Sequence, residues 1–311
     1  MKILILGAGG TGGYFGGRLA QSGADVTFLV RDKRAAQLAA DGLVIETTKE
    51  RMVIPVKTSL AASVKPEYDV IILSCKAFDL ESSIAAITPA MHAATQVLPL
   101  LNGMSHLDTL DSAFGRERVM GGSCQIAATL TREGVVKNLA EMHTILWGAR
   151  DNNPQQIALA SALGGAFANT PVDWRVSEQV IQDMWEKLVF LSTLAGMTCL
   201  MRASIGEILA SRDGKAHTQR YLDSCIAIAT REGFAPRAAT SERFNAVLNS
   251  QGSTLTASML RDLESGKPVE ANHIVGYMLD RARMHGIDDT MLSIAYAHLH
   301  AYEQRRLANR L

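Results

Sequence analysis

A glycine-rich turn near residue 10 constrains the fold of this chain more than any other feature. Residues 3–6 form an unbroken apolar run, typical of a strand covered on both faces, and it leads directly into Gly7-Ala8-Gly9-Gly10-Thr11-Gly12. A segment with helical apolar spacing follows, ends at Ser22-Gly23, and gives way to a second apolar strand over residues 24–30. This order of elements predicts a parallel sheet of the dinucleotide-binding type.

The spacing of the glycines has a physical reason at each position. Gly7 permits a tight turn, Gly9 lets a diphosphate approach the backbone, and Gly12 lets the helix pack closely on the strand. Backbone N–H groups at the start of the helix then bind the diphosphate. A glycine-rich turn alone is weak evidence, but between a strand and a helix it predicts a cofactor site over the six residues from Gly7 to Gly12.

The end of the second strand indicates which cofactor is bound. Sites that prefer NAD usually place an acidic residue there to bind the ribose 2′-OH, whereas this strand ends in Val30-Arg31. Arg31, with Lys33 and Arg34 close behind, offers positive charge for a 2′-phosphate, which predicts NADP(H). The alternative is a solvated basic loop that Asp32 partly neutralises.

Composition narrows the class of protein and of partner. A chain of 311 residues has room for two domains, each with its own core. Because 31 Lys and Arg balance 31 Asp and Glu, nothing favours nucleic acid or an anionic membrane as a partner. The apolar run over residues 188–201 is too short to span a bilayer comfortably and is predicted to be a buried helix.

The cysteines and histidines indicate neither a disulfide framework nor a metal site. Four cysteines stand far apart and without CxxC spacing, at Cys75, Cys124, Cys199 and Cys225. The first predicted strand begins at residue 3, which leaves no room for a signal peptide. We therefore expect a cytoplasmic protein. His92, His106 and His143 have no metal-ligand spacing and are interpreted as structural.

Hydrophobic periodicity divides the chain near residue 175. Strands are predicted near residues 43–46, 52–56, 69–75, 96–101, 119–127, 135–138, 144–148 and 172–174. Helices are predicted near residues 178–202, 204–211, 214–232, 237–250, 254–265, 269–285 and 289–308. The fold class is therefore α/β plus all-α, with an N-terminal Rossmann-type dinucleotide-binding domain over 1–175 and a C-terminal helical bundle domain over 176–311. The helical domain is expected to bind substrate, and formation of a homodimer through it stays open.

Two polar residues follow predicted strands at their carboxyl ends. In an open parallel sheet these ends line the ligand crevice, so Lys76 and Asn102 are placed to touch cofactor or substrate. An ordinary surface lysine is the alternative for Lys76. Asn102-Gly103 precedes a helix start at Ser105, which predicts a strand-to-helix crossover rather than a hairpin. Pro99 removes a ladder donor and predicts that its strand lies at an edge or carries a bulge.

With these residues, the chain resembles the ketopantoate reductase family, the 2-dehydropantoate 2-reductases, over nearly its whole length. The resemblance is carried by Gly7–Gly12, Arg31, Ser74-Cys-Lys76-Ala-Phe, Asn102-Gly-Met104, Trp185-Glu-Lys187-Leu, Ser258-Met-Leu-Arg-Asp262, Glu270 and residues 281–287. Each motif alone is common, but their order and spacing together are specific.

The resemblance implies an oxidoreductase that reduces 2-dehydropantoate (ketopantoate) to pantoate with NADPH, a step of pantothenate and coenzyme A biosynthesis. It places the site in a cleft between the domains, with Lys187 as general acid and Glu270 assisting the binding of substrate and cofactor. The residues that match family contacts are Lys76, Asn102, Ala127 and Glu270 for the cofactor, and Asn102, Lys187 and Ser258 for the substrate.

The residue types suit this chemistry. A hydride that arrives at a ketone carbon builds negative charge on the ketone oxygen, and a nearby ammonium both stabilises that charge and supplies the proton. Lys187 can do this, and Glu270 can orient the lysine or a substrate hydroxyl. The alternatives are a solvated lysine on a helix face and a glutamate that caps a helix start.

The sequence departs from the family pattern beside the lysine. The family usually carries asparagines four and eight residues after it, where this chain has Leu191 and Ala195. Both share a helix face with Lys187, so the pocket wall there is predicted to be apolar. Thr198, and less well Ser192, are the candidates for a replacement hydroxyl.

Three functions stay open on these grounds. The first is ketopantoate reduction, the second is reduction of a more apolar 2-oxo acid, and the third is a non-catalytic NADPH-binding sensor. Retention of both Lys187 and Glu270 counts against the sensor, because a sensor needs only the nucleotide-binding half.

Overall fold

A computed structural model describes the whole chain, residues 1–311. It divides into two compact units: Met1–Leu101 with His106–Val180 form the first, and Asn102–Ser105 with Ile181–Leu311 form the second. The predicted α/β plus all-α fold class is confirmed. The sequence places the boundary after residue 175, and Val180 is the last residue that packs with the first unit. Nothing in the sequence predicts that Asn102–Ser105 groups with the helical unit.

The first unit contains the strands and five helices, except that Ser105, the first residue of the fourth helix, groups with the second unit. The strands are β1 (Lys2–Leu6), β2 (Asp25–Leu29), β3 (Leu43–Glu46), β4 (Arg51–Ile54), β5 (Lys57–Ser59), β6 (Val70–Leu73), β7 (Gln96–Pro99), β8 (Gly121–Leu130), β9 (Val136–Gly148) and β10 (Asp173–Val176). The helices are α1 (Gly10–Gln21), α2 (Asp32–Asp41), α3 (Leu80–Ile87), α4 (Ser105–Phe114) and α5 (Pro154–Phe167). The predicted crossover after Asn102 is confirmed, because α4 begins at Ser105.

The nucleotide-type sheet has the strand order β5-β2-β1-β6-β7, and all of its pairings are parallel. Its central strands β1 and β6 are apolar on both faces, as the unbroken runs predict: the adjacent residues Ile3 and Leu4 of β1, and Ile71 and Ile72 of β6, are fully buried. Strand β7, which ends in Pro99, lies at an edge. The prediction from Pro99 is therefore confirmed, since an edge strand tolerates a missing N–H.

A second sheet in the same unit has the order β10-β9-β3-β4, with β8 paired to β9. The sequence predicts separate strands over 135–138 and 144–148, but β9 runs continuously over both. The reason is the partner strand: Ile126 pairs with His143 while Ala128 pairs with Asn138, so extra residues of β9 bulge outward between two paired halves. The prediction of two strands is wrong because the bulge interrupts the alternation.

The second unit is helical, as predicted. Its helices are α6 (Val180–Met201, of which Val180 packs with the first unit), α7 (Ile205–Ala210), α8 (Gly214–Arg231), α9 (Ala238–Leu248), α10 (Ser258–Glu264), α11 (Tyr277–His285) and α12 (Thr290–Leu307). The predicted helix over 254–265 is wrong at its start. Ile205 and Gly206 donate backbone hydrogen bonds to the carbonyls of Leu255 and Ser253, which holds that stretch extended.

Helix α6 contains the apolar run over 188–201, and most of that run is buried, as predicted. None of the helices combines the length and apolar character needed to cross a bilayer.

Candidate active site

The glycine turn joins β1 to α1 and is shaped by close backbone contacts. Gly7 has φ +80°, a left-handed conformation that favours glycine, and its N–H donates to the carbonyl of Leu29 at 2.8 Å. A β-carbon on Gly12 would lie 2.6 Å from Ser74 Oγ and 2.8 Å from the Gly7 carbonyl oxygen. Glycine at these two positions therefore serves the turn itself and the packing of α1 against β6.

Neither backbone conformation nor packing within the chain requires glycine at position 9. Its φ is −83°, which any residue adopts, and a β-carbon there would have no neighbour within 4 Å. The absence of a side chain leaves open space in front of the helix start. Space at this point, between the strand and the first helical turn, is what the approach of a diphosphate requires.

The N-terminus of α1 presents unpaired backbone donors to that space. The first helical bond runs from the Gly13 N–H to the Gly9 carbonyl at 2.8 Å, so the N–H groups of Gly10, Thr11 and Gly12 precede it. No side chain caps this end, and its first turn has no acidic residue. The residues present therefore fit a bound diphosphate, because free N–H groups and the positive end of the helix dipole both favour an anion.

The basic segment after β2 divides into one structural arginine and two exposed cations. Arg34 donates to the carbonyls of Ala8 (3.0 Å) and Gly134 (2.9 Å), and burial lowers its pKa. The Arg34 guanidinium therefore ties the glycine turn to the β8–β9 connection, and its contact with a 2′-phosphate stays a prediction. Arg31 and Lys33 are exposed, and Arg31 stands directly before α2.

Two further predicted cofactor residues lie on elements next to the glycine turn. Lys76 is exposed and follows β6, the parallel neighbour of β1, so both strands end at the same edge of the sheet. Ala127 sits at the irregularity of β8, between the paired residues Ile126 and Ala128. A β-carbon on Gly10 would lie 2.7 Å from the Ala128 carbonyl oxygen, so this part of β8 packs directly on the start of α1.

Lys187 lies on α6, and a polar cluster beside it fixes that helix. The adjacent Glu186 is buried and accepts hydrogen bonds from Arg237 N (2.8 Å), Nε (2.8 Å) and Nη2 (2.6 Å). Burial alone raises the pKa of Glu186, but hydrogen bonds from Arg237 and Gln182 outweigh that effect and lower the pKa below its ordinary value. Arg237 also pairs with Asp183 one turn earlier. The cluster holds the rotation of α6 and with it the direction of Lys187, which is half-buried.

Glu270 is 7% exposed and stands at the start of an unusual helical segment. The chain forms a π-helical turn over Asn272–Gly276 and then continues as α11, a feature that periodicity does not reveal. The Val269 N–H donates to Glu303 Oε1 at 2.8 Å, and Tyr296 donates to Asn272 Oδ1 at 2.9 Å. The backbone before Glu270 and the side chain of Asn272 after it are therefore both anchored to α12.

The helix face that carries Lys187 is apolar, as the sequence predicts, but only part of it is accessible. Leu191 is half-buried, whereas Ala195 is fully buried. The proposed replacement hydroxyls are wrong: both are fully buried and used inside the helical unit. Thr198 donates to the Leu194 carbonyl at 2.7 Å, and Ser192 Oγ lies 3.5 Å from the Tyr221 hydroxyl.

The remaining predicted contacts are placed as follows. Ser258 is exposed at the first position of α10, and Asn102 is half-buried in the segment that packs with the helical unit. The helical unit thus contains Asn102, Lys187, Ser258 and Glu270, and the first unit contains the glycine turn, Arg31, Lys76 and Ala127. Their assignment as cofactor and substrate contacts stays a prediction.

Other reactive side chains have structural surroundings. His143 Nδ1 lies 2.7 Å from the Tyr14 hydroxyl, and burial lowers the pKa of His143. Burial raises the pKa of Cys199 and of Cys225 to about 12, which keeps both as thiols. No group of three or more His, Cys, Asp or Glu side chains is arranged to hold a metal ion.

Comparison with known families decides the classification. The family model described as ketopantoate reductase PanE/ApbA matches residues 3–152, and the model of its C-terminal part matches residues 179–303. The chain belongs to the ketopantoate reductase family. The resemblance predicted from the motifs is therefore confirmed, and with it the class of oxidoreductase.

Full-length relatives agree with this membership. The chain is 33% identical over 306 residues to YkpB of Bacillus subtilis, an uncharacterized oxidoreductase, covering 98% of this chain and 100% of that protein. It is 26% identical over 293 residues to a 2-dehydropantoate 2-reductase of Pyrococcus abyssi, covering 94% of each chain.

Solved structures show the same fold. A 2-dehydropantoate 2-reductase from Geobacter metallireducens matches with a TM-score of 0.85 at 26% identity, covering 97% of this chain and 99% of that one. A D-mandelate dehydrogenase bound to NADH and anilino(oxo)acetate matches with a TM-score of 0.86 at 21% identity, covering 99% of each. At that identity the second match shows the fold alone.

Two parts of this arrangement were missed from the sequence. Arg237 gives no signal, because a single arginine before a helix is an ordinary surface residue. His273 lies three residues after Glu270, a spacing that puts both side chains on one helix face and was available as a signal.

Proposed function

We propose that this member of the ketopantoate reductase family reduces a 2-oxo acid to a 2-hydroxy acid with NADPH, with ketopantoate as the first candidate substrate. On this proposal it supplies pantoate for pantothenate biosynthesis. The observation that supports the proposal most strongly is the site at Gly9, where open space lies beside the unpaired N–H groups at the start of α1. The part of the chain that matches the family models also includes Lys187 and Glu270.

The residues of the chain supply binding and proton transfer. NADPH, when bound, supplies a hydride to the ketone carbon of the substrate. The new C–H bond leaves the carbonyl electron pair on oxygen, and the Lys187 ammonium donates the proton that forms the O–H bond. Solvent then reprotonates Lys187, so that one hydride and one proton are added for each ketone reduced. Asn102, Ser258 and Glu270 orient the substrate.

Arg31 is the proposed contact for the 2′-phosphate of NADPH. It is exposed, stands directly before α2, and forms no hydrogen bond or ion pair with another side chain. We expect Arg31→Ala to raise the KM for NADPH about 10- to 100-fold, since hydrogen bonds between charged groups contribute about 1.5–3 kcal/mol each. The KM for NADH should stay within about twofold, because NADH has no 2′-phosphate.

Arg212→Ala is the matched control, because Arg212 is exposed and lies in the helical unit. Both cofactors should bind that variant as they bind the unmodified chain. An unchanged NADPH-to-NADH preference in Arg31→Ala would remove Arg31 from the cofactor site and leave the choice between NADP and NAD open.

A more apolar 2-oxo acid is the second candidate substrate. Leu191 is the accessible residue on the Lys187 face, and the hydroxyls of Ser192 and Thr198 are engaged elsewhere. A wall without hydrogen-bond donors leaves the hydroxyl of ketopantoate unpaired there, which favours a substrate with an aliphatic or aromatic side chain. Anilino(oxo)acetate, bound to the D-mandelate dehydrogenase, has such a side chain.

Leu191→Asn tests the substrate assignment. We expect it to raise kcat/KM for ketopantoate about 2- to 10-fold relative to an apolar 2-oxo acid, because one net hydrogen bond contributes about 0.5–1.5 kcal/mol. Leu307→Asn is the control, since Leu307 is 65% exposed on α12. Ala195→Asn is less informative, because the added volume at a fully buried site costs about 1–3 kcal/mol of stability. An unchanged substrate ratio in Leu191→Asn would place the substrate side chain away from this face.

A further inference from the structure

The loop of residues 102–105, which carries Asn102, is hydrogen-bonded to the helical segment that follows Glu270. Ser105 Oγ lies 2.7 Å from His273 Nδ1 in a partly buried contact that spans 168 residues of sequence. Gly103 has φ +86°, and a β-carbon there would collide with the carbonyl oxygen of His273. Two of the four residues in the loop therefore touch His273, one through its side chain and one through its backbone.

His273 is itself held in place by the π-helical turn. The turn over Asn272–Gly276 is bonded to α12 through Tyr296, and a β-carbon on Gly276 would lie 2.9 Å from the Tyr296 ring. Short π-helical turns are rare and frequently occur at functional sites. Here the turn presents both the ring and the carbonyl of one residue to the same loop.

The ionisation state of His273 suits a neutral hydrogen bond. Burial lowers the pKa of His273, and the Glu270 carboxylate opposes that shift without reversing it. At neutral pH the ring is therefore uncharged. The contact between His273 Nδ1 and the Ser105 hydroxyl is then a hydrogen bond between two neutral groups.

Asn102 is half-buried, and the place from which its side chain extends is set by a backbone that is one residue from Gly103 and three from Ser105. Glu270 is likewise three residues from His273 on the opposite side of the contact. The Ser105–His273 pair is thus a hydrogen-bonded connection between the two backbones.

We propose that Ser105 and His273 form a latch that holds the Asn102 amide at a fixed position relative to Glu270. Both are positioning residues: they act through Asn102 and Glu270 rather than on the substrate. The kinetic part of this proposal rests on the proposed function, in which Asn102 and Glu270 orient the 2-oxo acid. The structural part, fixation of the loop, does not depend on turnover.

A double-mutant cycle with Ser105→Ala, His273→Phe and both changes together tests the latch. Hydrogen exchange of the residue 102–105 amides should rise at least about 10-fold in each single variant and no further in the double, because either change breaks the same hydrogen bond. In the same variants kcat/KM for the 2-oxo acid should fall about 10-fold.

His273→Asn separates positioning from general packing. Its side-chain amide can restore a hydrogen bond to Ser105, so exchange and kcat/KM should recover to within about threefold of the unmodified chain. Ser112→Ala is the matched control: Ser112 lies on the same helix as Ser105, but its hydroxyl only bonds the Asp108 carbonyl at 2.8 Å. Neither readout should change in that variant.

The outcomes separate the latch from the proposed function. Unchanged exchange in both single variants, or losses that add in the double, would overturn the latch. Raised exchange with unchanged kcat/KM would overturn the positioning role. If the unmodified chain reduces no 2-oxo acid, the proposed function fails on its own, and non-additive exchange would still establish the latch.

Discussion

Replacing Lys187 with alanine should lower turnover of the 2-oxo acid about 10³-fold while the Kd for NADPH changes less than about threefold. General acid catalysis by a positioned side chain contributes about 10²- to 10⁴-fold, and the ammonium also stabilises the developing negative charge on the substrate oxygen. Fluorescence titration with NADPH and single-turnover kinetics measure the two quantities separately. An equal loss of binding and turnover would mean that Lys187 has a structural role.

Two variants control this experiment. Lys187→Arg keeps a positive charge but donates a proton poorly, because the guanidinium pKa is far above neutral pH, so most of the loss should remain. Lys215→Ala removes an exposed lysine from α8 and should be without effect. Recovery of turnover in Lys187→Arg would show that charge alone is needed and that the proton comes from elsewhere.

Replacing Gly9 with alanine should weaken NADPH binding about 100-fold and leave the free energy of unfolding within about 1 kcal/mol of its original value. The fold tolerates the methyl group, since φ at Gly9 is −83° and no atom lies within 4 Å of the added carbon. The lost affinity corresponds to about 2.7 kcal/mol, the size of one or two charged hydrogen bonds between N–H groups and the diphosphate. NADPH titration and denaturant unfolding measure the two effects.

Other glycine-to-alanine changes isolate the ligand effect. Gly165→Ala lies on α5, also has no neighbour within 4 Å, and should stabilise the helix by about 0.5–1 kcal/mol without affecting NADPH binding. Gly12→Ala should instead destabilise the fold by about 1–3 kcal/mol, because its methyl group would collide with Ser74 and Gly7. Full NADPH affinity in Gly9→Ala would show that the diphosphate binds elsewhere.

Local features were the most predictable from the sequence. The strand, glycine turn, helix and strand at the start of the chain depend on apolar runs and glycine positions that act within a few residues. Pro99 correctly indicated an edge strand, because a residue without an N–H cannot donate a hydrogen bond to a neighbouring strand. The helical second unit was predictable because apolar residues at helical spacing are also a local pattern.

Features that depend on distant partners were not predictable. In the second sheet β3 pairs with β9, and β9 contains a bulge opposite β8. Neither feature produces a pattern in the nearby sequence. The hydrogen bond from Arg34 to the Gly134 carbonyl joins residues 100 positions apart, and no local pattern indicates it. Thr198 and Ser192 looked available because the sequence does not show that other helices cover them.

In the candidate site, too, the residues that match a sequence pattern were predictable and the contacts between distant segments were not. Lys187 and Glu270 could be named because they match a family pattern with specific spacing. The hydrogen bond between Ser105 and His273 could not be named, since it joins segments 168 residues apart through a π-helical turn. Whether each named residue contacts cofactor or substrate stays a prediction for the experiments above.

The proposed reduction is tested by the rate at which the unmodified chain oxidises NADPH with ketopantoate and with a small set of apolar 2-oxo acids. We expect saturable oxidation with at least one 2-oxo acid and slower oxidation of NADH with the same acid. Fast turnover of ketopantoate would assign the chain to pantoate synthesis, and turnover of the apolar acids alone would favour the second candidate substrate. NADPH binding without oxidation in the presence of any of these acids would contradict the account and favour a non-catalytic sensor.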